Sequence, residues 1–227
     1  MKKILTGGEL LDNVLEGGYE NDIITTIYGP AGSGKTCLCL LAAKHIAEQG
    51  KKVIYMDTEG GFSVTRFKQI SNEKLLENFL FFRPTSFEEQ KKYFKEIKEL
   101  INEKIGLIVI DTIAMLYRLE LGSSEDVYDT NRELGKQLAL LNETARKKNI
   151  PVLISNQVYS SFENKNKVCM VGGDLLKYAS KCLIELQITP ENHRKLILRK
   201  HRSIPEEKQA TFQIVNKGII DIELKKY

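Results

Sequence analysis

The 227-residue chain lacks long apolar runs, repeats and low-complexity tracts. Its longest apolar runs, such as residues 107–110, stop far short of the roughly 20 residues that a membrane-spanning helix needs. The chain also starts without an apolar segment of signal-peptide length, because glycine is reached at Gly7. We therefore expect no signal peptide and no membrane span, and we expect a cytoplasmic protein.

Cysteine is scarce and unpatterned. Four residues, Cys37, Cys39, Cys169 and Cys182, form neither a CxxC pair nor a Cys/His spacing typical of metal sites. Reduced, mostly buried thiols are expected. Apolar residues make up 42% of the chain, and a chain of this length can bury roughly 70% of its unfolded surface. This composition excludes a disordered chain and predicts a single domain over residues 1–227.

Net charge is also small, at +4, but its distribution is uneven. Residues 190–227 hold nine basic and five acidic side chains, so the first 189 residues balance at 25 of each sign. The C-terminal segment is therefore the place to look for contact with a polyanion. An ordinary solvated hairpin is the alternative interpretation.

Apolar segments alternate with amphipathic ones along the first two thirds of the chain. Segments rich in β-branched residues predict strands at 23–28, 52–57, 107–111 and 151–156, and a short apolar run predicts a further strand at 79–82. Helices are predicted at 36–49, from the capping box of Ser86 and Glu89, and from Asp126 or Asp129 to Lys148. Such alternation is typical of an α/β fold with a mostly parallel central sheet flanked by helices.

The pattern changes after residue 173. Short β-like runs at 182–188, 195–200, 210–215 and 219–224 are separated by turn residues. They predict antiparallel hairpins that extend the sheet, as a C-terminal β extension over about 181–227.

Residues 29–36, GPAGSGKT, match the pattern G-x-x-x-x-G-K-[ST] and lie between a predicted strand and a predicted helix. Backbone N–H groups of such a P-loop point at phosphates, and the helix adds its positive dipole end. Lys35 is expected to reach the β- and γ-phosphates of ATP, and the Thr36 hydroxyl to bind Mg²⁺. The P-loop region spans 23–49, and the candidate nucleotide-binding residues within it are Gly29, Pro30, Ala31, Gly32, Ser33, Gly34, Lys35, Thr36 and Cys37.

Three further polar residues follow predicted strands. Asp111 ends the apolar strand LIVID and is expected to hold the metal through water. Glu59 follows the strand ending at Asp57 and is the candidate catalytic base, with a solvated turn acid as the alternative. Gln157 follows the strand ending at Asn156, where its amide group is placed to sense the γ-phosphate.

The order of these motifs resembles the RecA-like recombinase family, in its archaeal and eukaryotic branch. Residues 5–20 are similar to the family's lead into the P-loop, and DTEGGF (57–62), LIVID (107–111) and SNQV (155–158) to its later motifs. The resemblance implies a RecA-like P-loop ATPase core in which Glu59 activates the attacking water. It also implies that Gln157 couples the γ-phosphate to a DNA-binding loop and that Arg66 stacks on adenine.

The sequence also departs from the family's main recombinase. We expect no N-terminal helix-hairpin-helix domain and no polymerisation motif before the core. Segments 120–128 and 159–172 resemble the two DNA loops, but the second is short. KHRSIPE (200–206) stands where the family has a segment that meets ATP on the next subunit, with Arg202 in place of its acid. Full strand exchange is therefore not expected.

The resemblance implies an ATP- and DNA-binding accessory protein of archaeal recombination and repair, with weak ATPase activity. Its expected partners are single-stranded DNA, bound without sequence preference, and a RadA-type recombinase that it modulates; a homodimer is a further candidate assembly. The candidate DNA contacts are Arg199, Lys200, His201, Arg202 and Lys165, with Arg118 and Arg132 as weaker candidates and Tyr159 and Phe162 as possible base-stacking residues.

Two other functions fit a P-loop. One is a KaiC-like signalling ATPase of the same superfamily, which the DTEGGF and SNQV motifs disfavour. The other is a small-molecule or nucleotide kinase, which the lack of an arginine-rich lid disfavours.

Overall fold

The structure is a computed structural model that describes residues 2–123, 127–160 and 168–222. In these ranges the helices are α1 (Glu9–Val14), α2 (Lys35–Glu48), α3 (Val64–Ile70), α4 (Phe87–Leu100), α5 (Met115–Ser123), α6 (Val127–Lys148) and α7 (Gly173–Ala179). The strands are β1 (Lys3–Ile4), β2 (Tyr19–Glu20), β3 (Ile24–Tyr28), β4 (Lys52–Asp57), β5 (Phe79–Phe82), β6 (Ile105–Asp111), β7 (Val152–Asn156), β8 (Val158–Ser160), β9 (Val168–Met170), β10 (Cys182–Ile188), β11 (Arg194–His201), β12 (Gln209–Val215) and β13 (Gly218–Asp221).

Nine of these strands form the central sheet, in the order β13-β12-β11-β10-β3-β7-β6-β4-β5. The strands from β10 to β5 in that order pair in parallel. From β10 to β13 the pairing is antiparallel. The sheet confirms the predicted α/β class, with a mostly parallel centre and C-terminal antiparallel hairpins.

Helices cover both faces of the parallel part of the sheet. Because successive residues of a strand point to opposite sides, each strand contributes side chains to the core on both faces. In β6, Leu107 and Val109 belong to the core cluster that contains the buried face of α2. Ile108 and Ile110 of the same strand belong to the cluster beneath α4 and α6. The sheet is therefore buried on both sides, and its functional groups can reach solvent only at the strand ends.

The helix α4 begins at the predicted cap. Ser86 Oγ accepts a hydrogen bond of 3.2 Å from Glu89 N, while the Glu89 carboxylate accepts from Thr85 instead of from Ser86. Its buried apolar face includes Phe87, Phe94 and Ile97. Within the described ranges, no helix is long and apolar enough to cross a membrane.

The expectation that segment 120–128 forms a loop is wrong for the residues that the structure describes. Segment 120–128 is helical on both sides of residues 124–126, since α5 continues to Ser123 and α6 starts at Val127. Leu116 and Tyr117 anchor α5 in the core, and no glycine or proline interrupts the helix before Gly122. The predicted cap Asp126 lies outside the described residues.

The described cysteine side chains are buried free thiols, at Cys37, Cys39 and Cys182. Burial raises the pKa of Cys182 to about 12. Burial also raises the pKa values of Cys37 and Cys39, so the three thiols are protonated near pH 7.

Candidate functional site

The P-loop connects β3 to α2 at the carboxyl edge of the parallel strands. Gly34 caps α2 with φ at +104°, a left-handed conformation that favours glycine. Gly29 is confined for a different reason, because a Cβ there would lie 2.4 Å from the carbonyl oxygen of Leu186 on the neighbouring β10. Local backbone geometry thus requires both glycines of the motif.

Lys35 lies folded back over the loop that precedes it. Its Nζ donates hydrogen bonds to Gly29 O at 3.0 Å and to Pro30 O at 2.9 Å. Burial lowers the pKa of Lys35, and the nearby carboxylates of Glu59 and Asp111 oppose that shift. An ammonium held by carbonyl oxygens above a phosphate-binding loop can exchange those acceptors for phosphate oxygens.

The loop also offers groups that fit a nucleotide with its metal. The buried Ser33 hydroxyl has no hydrogen-bond partner among the described residues. A Cβ at Gly61 would lie 4.0 Å from Thr36 Oγ1, so the turn after β4 runs beside that hydroxyl. Hydroxyl and carboxylate oxygens are ligands that Mg²⁺ prefers, so Thr36 and Asp111 fit the expected metal.

Asp111 is fixed by two hydroxyl donors from neighbouring strands. Its Oδ2 accepts from Tyr55 Oη at 2.9 Å, and its Oδ1 accepts from Ser155 Oγ. Burial, with the Asp111 charge beside it, raises the pKa of Tyr55, so the phenol stays a donor. Sequence motifs alone did not indicate Tyr55 and Ser155, which hold the carboxylate in one orientation.

The turn that carries Glu59 is built around Asp57. The Asp57 carboxylate accepts from three backbone N–H groups, of Glu59 at 3.3 Å, Gly61 at 3.0 Å and Phe62 at 3.0 Å. Thr58 and Thr112 exchange hydrogen bonds of 2.7 and 3.0 Å between the ends of β4 and β6. Asp57 is therefore committed to the backbone, which leaves Glu59 as the acid that faces the site.

Glu59, after β4, and Gln157, after β7, are brought together across the end of β6, which lies between those two strands. Gln157 Nε2 donates to Glu59 Oε1 at 2.8 Å, and Thr112 Oγ1 donates to the same oxygen at 2.8 Å. Thr112 was not expected in the site. A hydroxyl and an amide thus orient the carboxylate beside Lys35 and Asp111.

Gln157 is also linked to the chain that returns after β9. Val171 N donates to Gln157 O at 3.2 Å, and Asn156 Nδ2 donates to Val171 O at 2.7 Å. Asn156 O in turn accepts from Gly29 N at 3.3 Å. A continuous set of hydrogen bonds therefore joins the P-loop, the end of β7 and the segment at Val171.

A cavity of about 650 Å³ lies on the far side of this segment, and Val171 is part of its wall. Its other walls come from α5, α6, α7 and Tyr159, and they include Arg118 and Gly172. The Tyr159 side chain is 47% exposed. The Arg132 guanidinium, another of the expected DNA contacts, forms an ion pair with Asp129 at 2.8 Å. Phe162 and Lys165 lie outside the described residues.

Arg66 lies near the P-loop, but its guanidinium is held by the C-terminal hairpin. It donates to Val215 O at 2.8 Å and to Asn216 O at 3.1 Å, and it contacts Cys37 Sγ at 3.6 Å. The expected stacking position on adenine is therefore tied to the turn between β12 and β13.

The basic run 199–202 does not form a free cationic surface. Because β11 is antiparallel to β10 and His201 pairs with Cys182, residues 200–202 lie at the amino edge of the parallel strands, opposite the P-loop. Arg199 forms ion pairs with Glu185 at 2.7 Å and Glu207 at 3.1 Å.

The other three side chains of this run are also engaged within the chain. Arg202 forms ion pairs with the buried Glu20 at 2.6 Å and with Asp22 at 2.5 Å. Lys200 Nζ donates to Lys177 O and Ser180 O at 2.7 and 2.8 Å. His201 Nδ1 accepts from two backbone N–H groups, and burial lowers its pKa, so the ring is neutral near pH 7.

Comparison with known proteins gives a consistent result. The model of the Rad51 family matches residues 1–222. A protein named DNA repair and recombination protein RadB from Methanobrevibacter smithii is 46% identical over 219 residues, which cover 92% of each chain. The protein of that name from Thermoplasma acidophilum is 37% identical over 221 residues, 96% of this chain and 94% of the relative.

A solved structure agrees with these sequence matches. The crystal structure of the RadB recombinase superposes with a TM-score of 0.83 at 36% identity, and covers 96% of this chain and 100% of that one. The similarity therefore extends over the whole architecture and is not confined to the P-loop.

Proposed function

The chain belongs to the Rad51 family, and on that premise we propose that it is an ATP- and DNA-binding accessory protein of homologous recombination and repair. ATP binds at the P-loop with Mg²⁺ held by Thr36 and Asp111. The bound nucleotide sets the conformation of the segment after β7, and that segment contacts single-stranded DNA. The signalling-ATPase alternative is not favoured by the family match.

The observation that carries this proposal is the hydrogen bond from Gln157 to Glu59. Glu59 faces the P-loop lysine, while Gln157 is bonded through its backbone to Val171 at the wall of the cavity. The Gln157 side chain thus responds to the presence of a γ-phosphate. The surface that contacts DNA is one hydrogen bond away, at Val171. The magnesium ion, when bound, neutralises part of the phosphate charge.

Glu59 is proposed as the base that orients water for slow hydrolysis. Its Oε1 is occupied by Thr112 and Gln157, so Oε2 is the atom that can accept a proton from water. General-base contributions of this kind amount to about 10²- to 10⁴-fold in rate. Glu59→Gln should therefore lose turnover and keep nucleotide affinity.

Lys35→Ala gives the matched comparison. We expect Lys35→Ala to abolish binding of fluorescent ATP, because the buried ammonium is the group that meets the phosphates. Glu59→Gln should bind within about twofold of wild type and hydrolyse at least about 100-fold more slowly. Equal loss of binding in both variants would show that Glu59 holds the fold of the turn and is not the base.

For DNA, we propose that the cavity face makes the principal contact. Tyr159 is exposed for base stacking and Arg118 lies at the wall for phosphate contact. Contact with residues 199–202 requires the ion pairs of Arg199 and Arg202 or the hydrogen bonds of Lys200 to open, so we expect a smaller contribution from them. The affinity for single-stranded DNA, measured by the anisotropy of a labelled strand, should therefore fall more in Tyr159→Ala than in Lys200→Ala. The reverse order would assign DNA binding to the C-terminal run.

The protein partner belongs to the same proposal. A RadA-type recombinase is the partner that the family assignment favours, and a homodimer is the simplest alternative assembly. Sedimentation of the purified chain, alone and mixed with a RadA-type recombinase, distinguishes the two. A mixed complex supports the accessory role, whereas two species that sediment independently contradict it.

A further inference from the structure

The turn between β10 and β11 passes beside the P-loop. Since β10 pairs in parallel with β3 through Glu185 and Tyr28, its carboxyl end continues past Gly29. The turn closes with a hydrogen bond of 3.0 Å from Thr189 N to His193 O, and β11 then starts at Arg194. The sheet topology therefore places Arg194, which is distant in sequence, beside the phosphate-binding loop.

Arg194 makes direct contact with that loop. Its Nε donates to Gly32 O at 3.1 Å, and its Nη1 donates to Asn192 Oδ1 at 2.8 Å. The bond engages the carbonyl oxygen of Gly32 at the tip of the P-loop. It therefore does not compete with phosphates for the backbone N–H groups of the loop.

Arg194 also differs from the two arginines further along the chain. Arg199 and Arg202 are each neutralised by carboxylates. For Arg194, the described residues provide only neutral oxygen acceptors, and none of their carboxylates forms an ion pair with it. Its positive charge is therefore uncompensated within the described part of the chain.

The charge balance of the site indicates what the Arg194 guanidinium can do there. Lys35 already shares its surroundings with the carboxylates of Glu59 and Asp111. A nucleoside triphosphate adds several negative charges, of which a divalent cation offsets two. A further positive charge immediately outside the loop lowers the remaining repulsion, and the effect grows with the number of phosphates.

We propose that Arg194 is a further nucleotide-binding residue, which positions the P-loop through Gly32 and supplies positive charge to the phosphates of the bound nucleotide. This inference rests on the proposed ATP site. It adds to that site a residue from the C-terminal hairpin that no part of the nucleotide motif contains.

The test compares Arg194→Gln and Arg194→Lys with Lys195→Gln in the full chain. Lys195 is the next residue of β11 and points to the opposite face, so its variant removes the same charge without touching the P-loop. Affinities for methylanthraniloyl-labelled ATP and ADP are measured with Mg²⁺. Thermal unfolding of each variant checks that it is folded.

We expect Arg194→Gln to weaken ATP binding by about three- to tenfold and ADP binding by less, because the Coulomb attraction scales with phosphate charge. Arg194→Lys should retain more of the ATP affinity than Arg194→Gln, and Lys195→Gln should change neither affinity by more than about twofold. Equal affinities in Arg194→Gln and Lys195→Gln would overturn the inference.

A DNA measurement separates the alternative source of phosphate. If Arg194→Gln weakens binding of single-stranded DNA without nucleotide while both nucleotide affinities are unchanged, the guanidinium belongs to a nucleic-acid surface and the inference is wrong. Failure of the underlying site looks different, because wild type would then bind labelled ATP no better than Lys35→Ala does.

Discussion

Gln157 and Glu59, 98 residues apart in sequence, are joined by a hydrogen bond of 2.8 Å from Nε2 to Oε1. Each lies within two residues of the carboxyl end of a strand of the parallel sheet, and Thr112 donates to the same carboxylate oxygen. Gln157 O also accepts a hydrogen bond from Val171 N, so one residue contacts both Glu59, through its side chain, and the cavity wall, through its backbone.

Removal of a hydroxyl beside Asp111 should weaken binding of the metal. In Ser155→Ala the Asp111 carboxylate loses one of its two orienting donors, and loss of such support typically costs 10- to 100-fold in metal affinity. We expect ATP affinity in the presence of Mg²⁺ to fall by about tenfold. ATP affinity without Mg²⁺ should be unchanged, and a titration of labelled ATP with and without Mg²⁺ checks both.

The control for that variant is Tyr55→Phe, which removes the second donor from the same carboxylate. It should show the same dependence on Mg²⁺. Loss of affinity that is independent of Mg²⁺ in both variants would mean that Asp111 shapes the pocket without serving the metal.

Gly29→Ala should destabilise the fold more than an ordinary glycine substitution. Its new Cβ would lie 2.4 Å from Leu186 O, so β10 has to move away from β3, and overpacking of this kind costs about 2–3 kcal/mol. Gly50→Ala is the matched control, with φ at +74° and open space around it, at about 1 kcal/mol. Urea unfolding measures the loss of unfolding free energy in each variant. Equal losses in Gly29→Ala and Gly50→Ala would contradict the close approach of β3 and β10.

The ion pair between Arg202 and Asp22 should make stability depend on acid pH. The Arg202 guanidinium lowers the pKa of Asp22 below its ordinary value. The stabilisation is therefore complete above the unfolded-state pKa, near pH 4, and disappears as the pH falls through the folded-state pKa. The free energy of unfolding should differ between wild type and Arg202→Ala at pH 6, and this difference should shrink on acidification.

Asp22→Asn provides the reference for this prediction, because it removes the titrating carboxyl and retains Arg202. It should flatten the same part of the pH profile. A difference between wild type and Arg202→Ala that stays constant from pH 6 down to the acid transition would exclude Asp22 as the source.

The strand pattern of this chain was readable from sequence because the buried strands are continuous apolar runs. Strands 52–57 and 182–188 have the predicted bounds. The short elements β1, β2, α1, α3 and α7 were not predicted, since each depends on packing against distant segments. The helical stretch up to Ser123 was not predicted, whereas a helix that starts directly after Asp126 was one of the two predicted alternatives.

The nucleotide motifs could be placed from sequence because each follows a strand, and parallel strands bring their carboxyl ends to one edge. Tyr55, Ser155 and Thr112 could not be found in this way, because their roles depend on lateral contacts between strands. The excess of basic residues at the C-terminus was counted correctly, but the acidic partners of Arg199 and Arg202 lie elsewhere in the chain. Glu20 and Glu185 belong to other strands, and Asp22 lies in the turn before β3. Net charge by itself does not reveal such pairing.

The most direct test of the account is the affinity for single-stranded DNA with and without ATP and Mg²⁺, measured by anisotropy in wild type, Gln157→Ala and the exposed control Gln209→Ala. Coupling between two sites typically amounts to about 5- to 150-fold. We predict at least a fivefold nucleotide effect on DNA affinity in wild type and Gln209→Ala, and less than about twofold in Gln157→Ala. An undiminished nucleotide effect in Gln157→Ala would contradict the account.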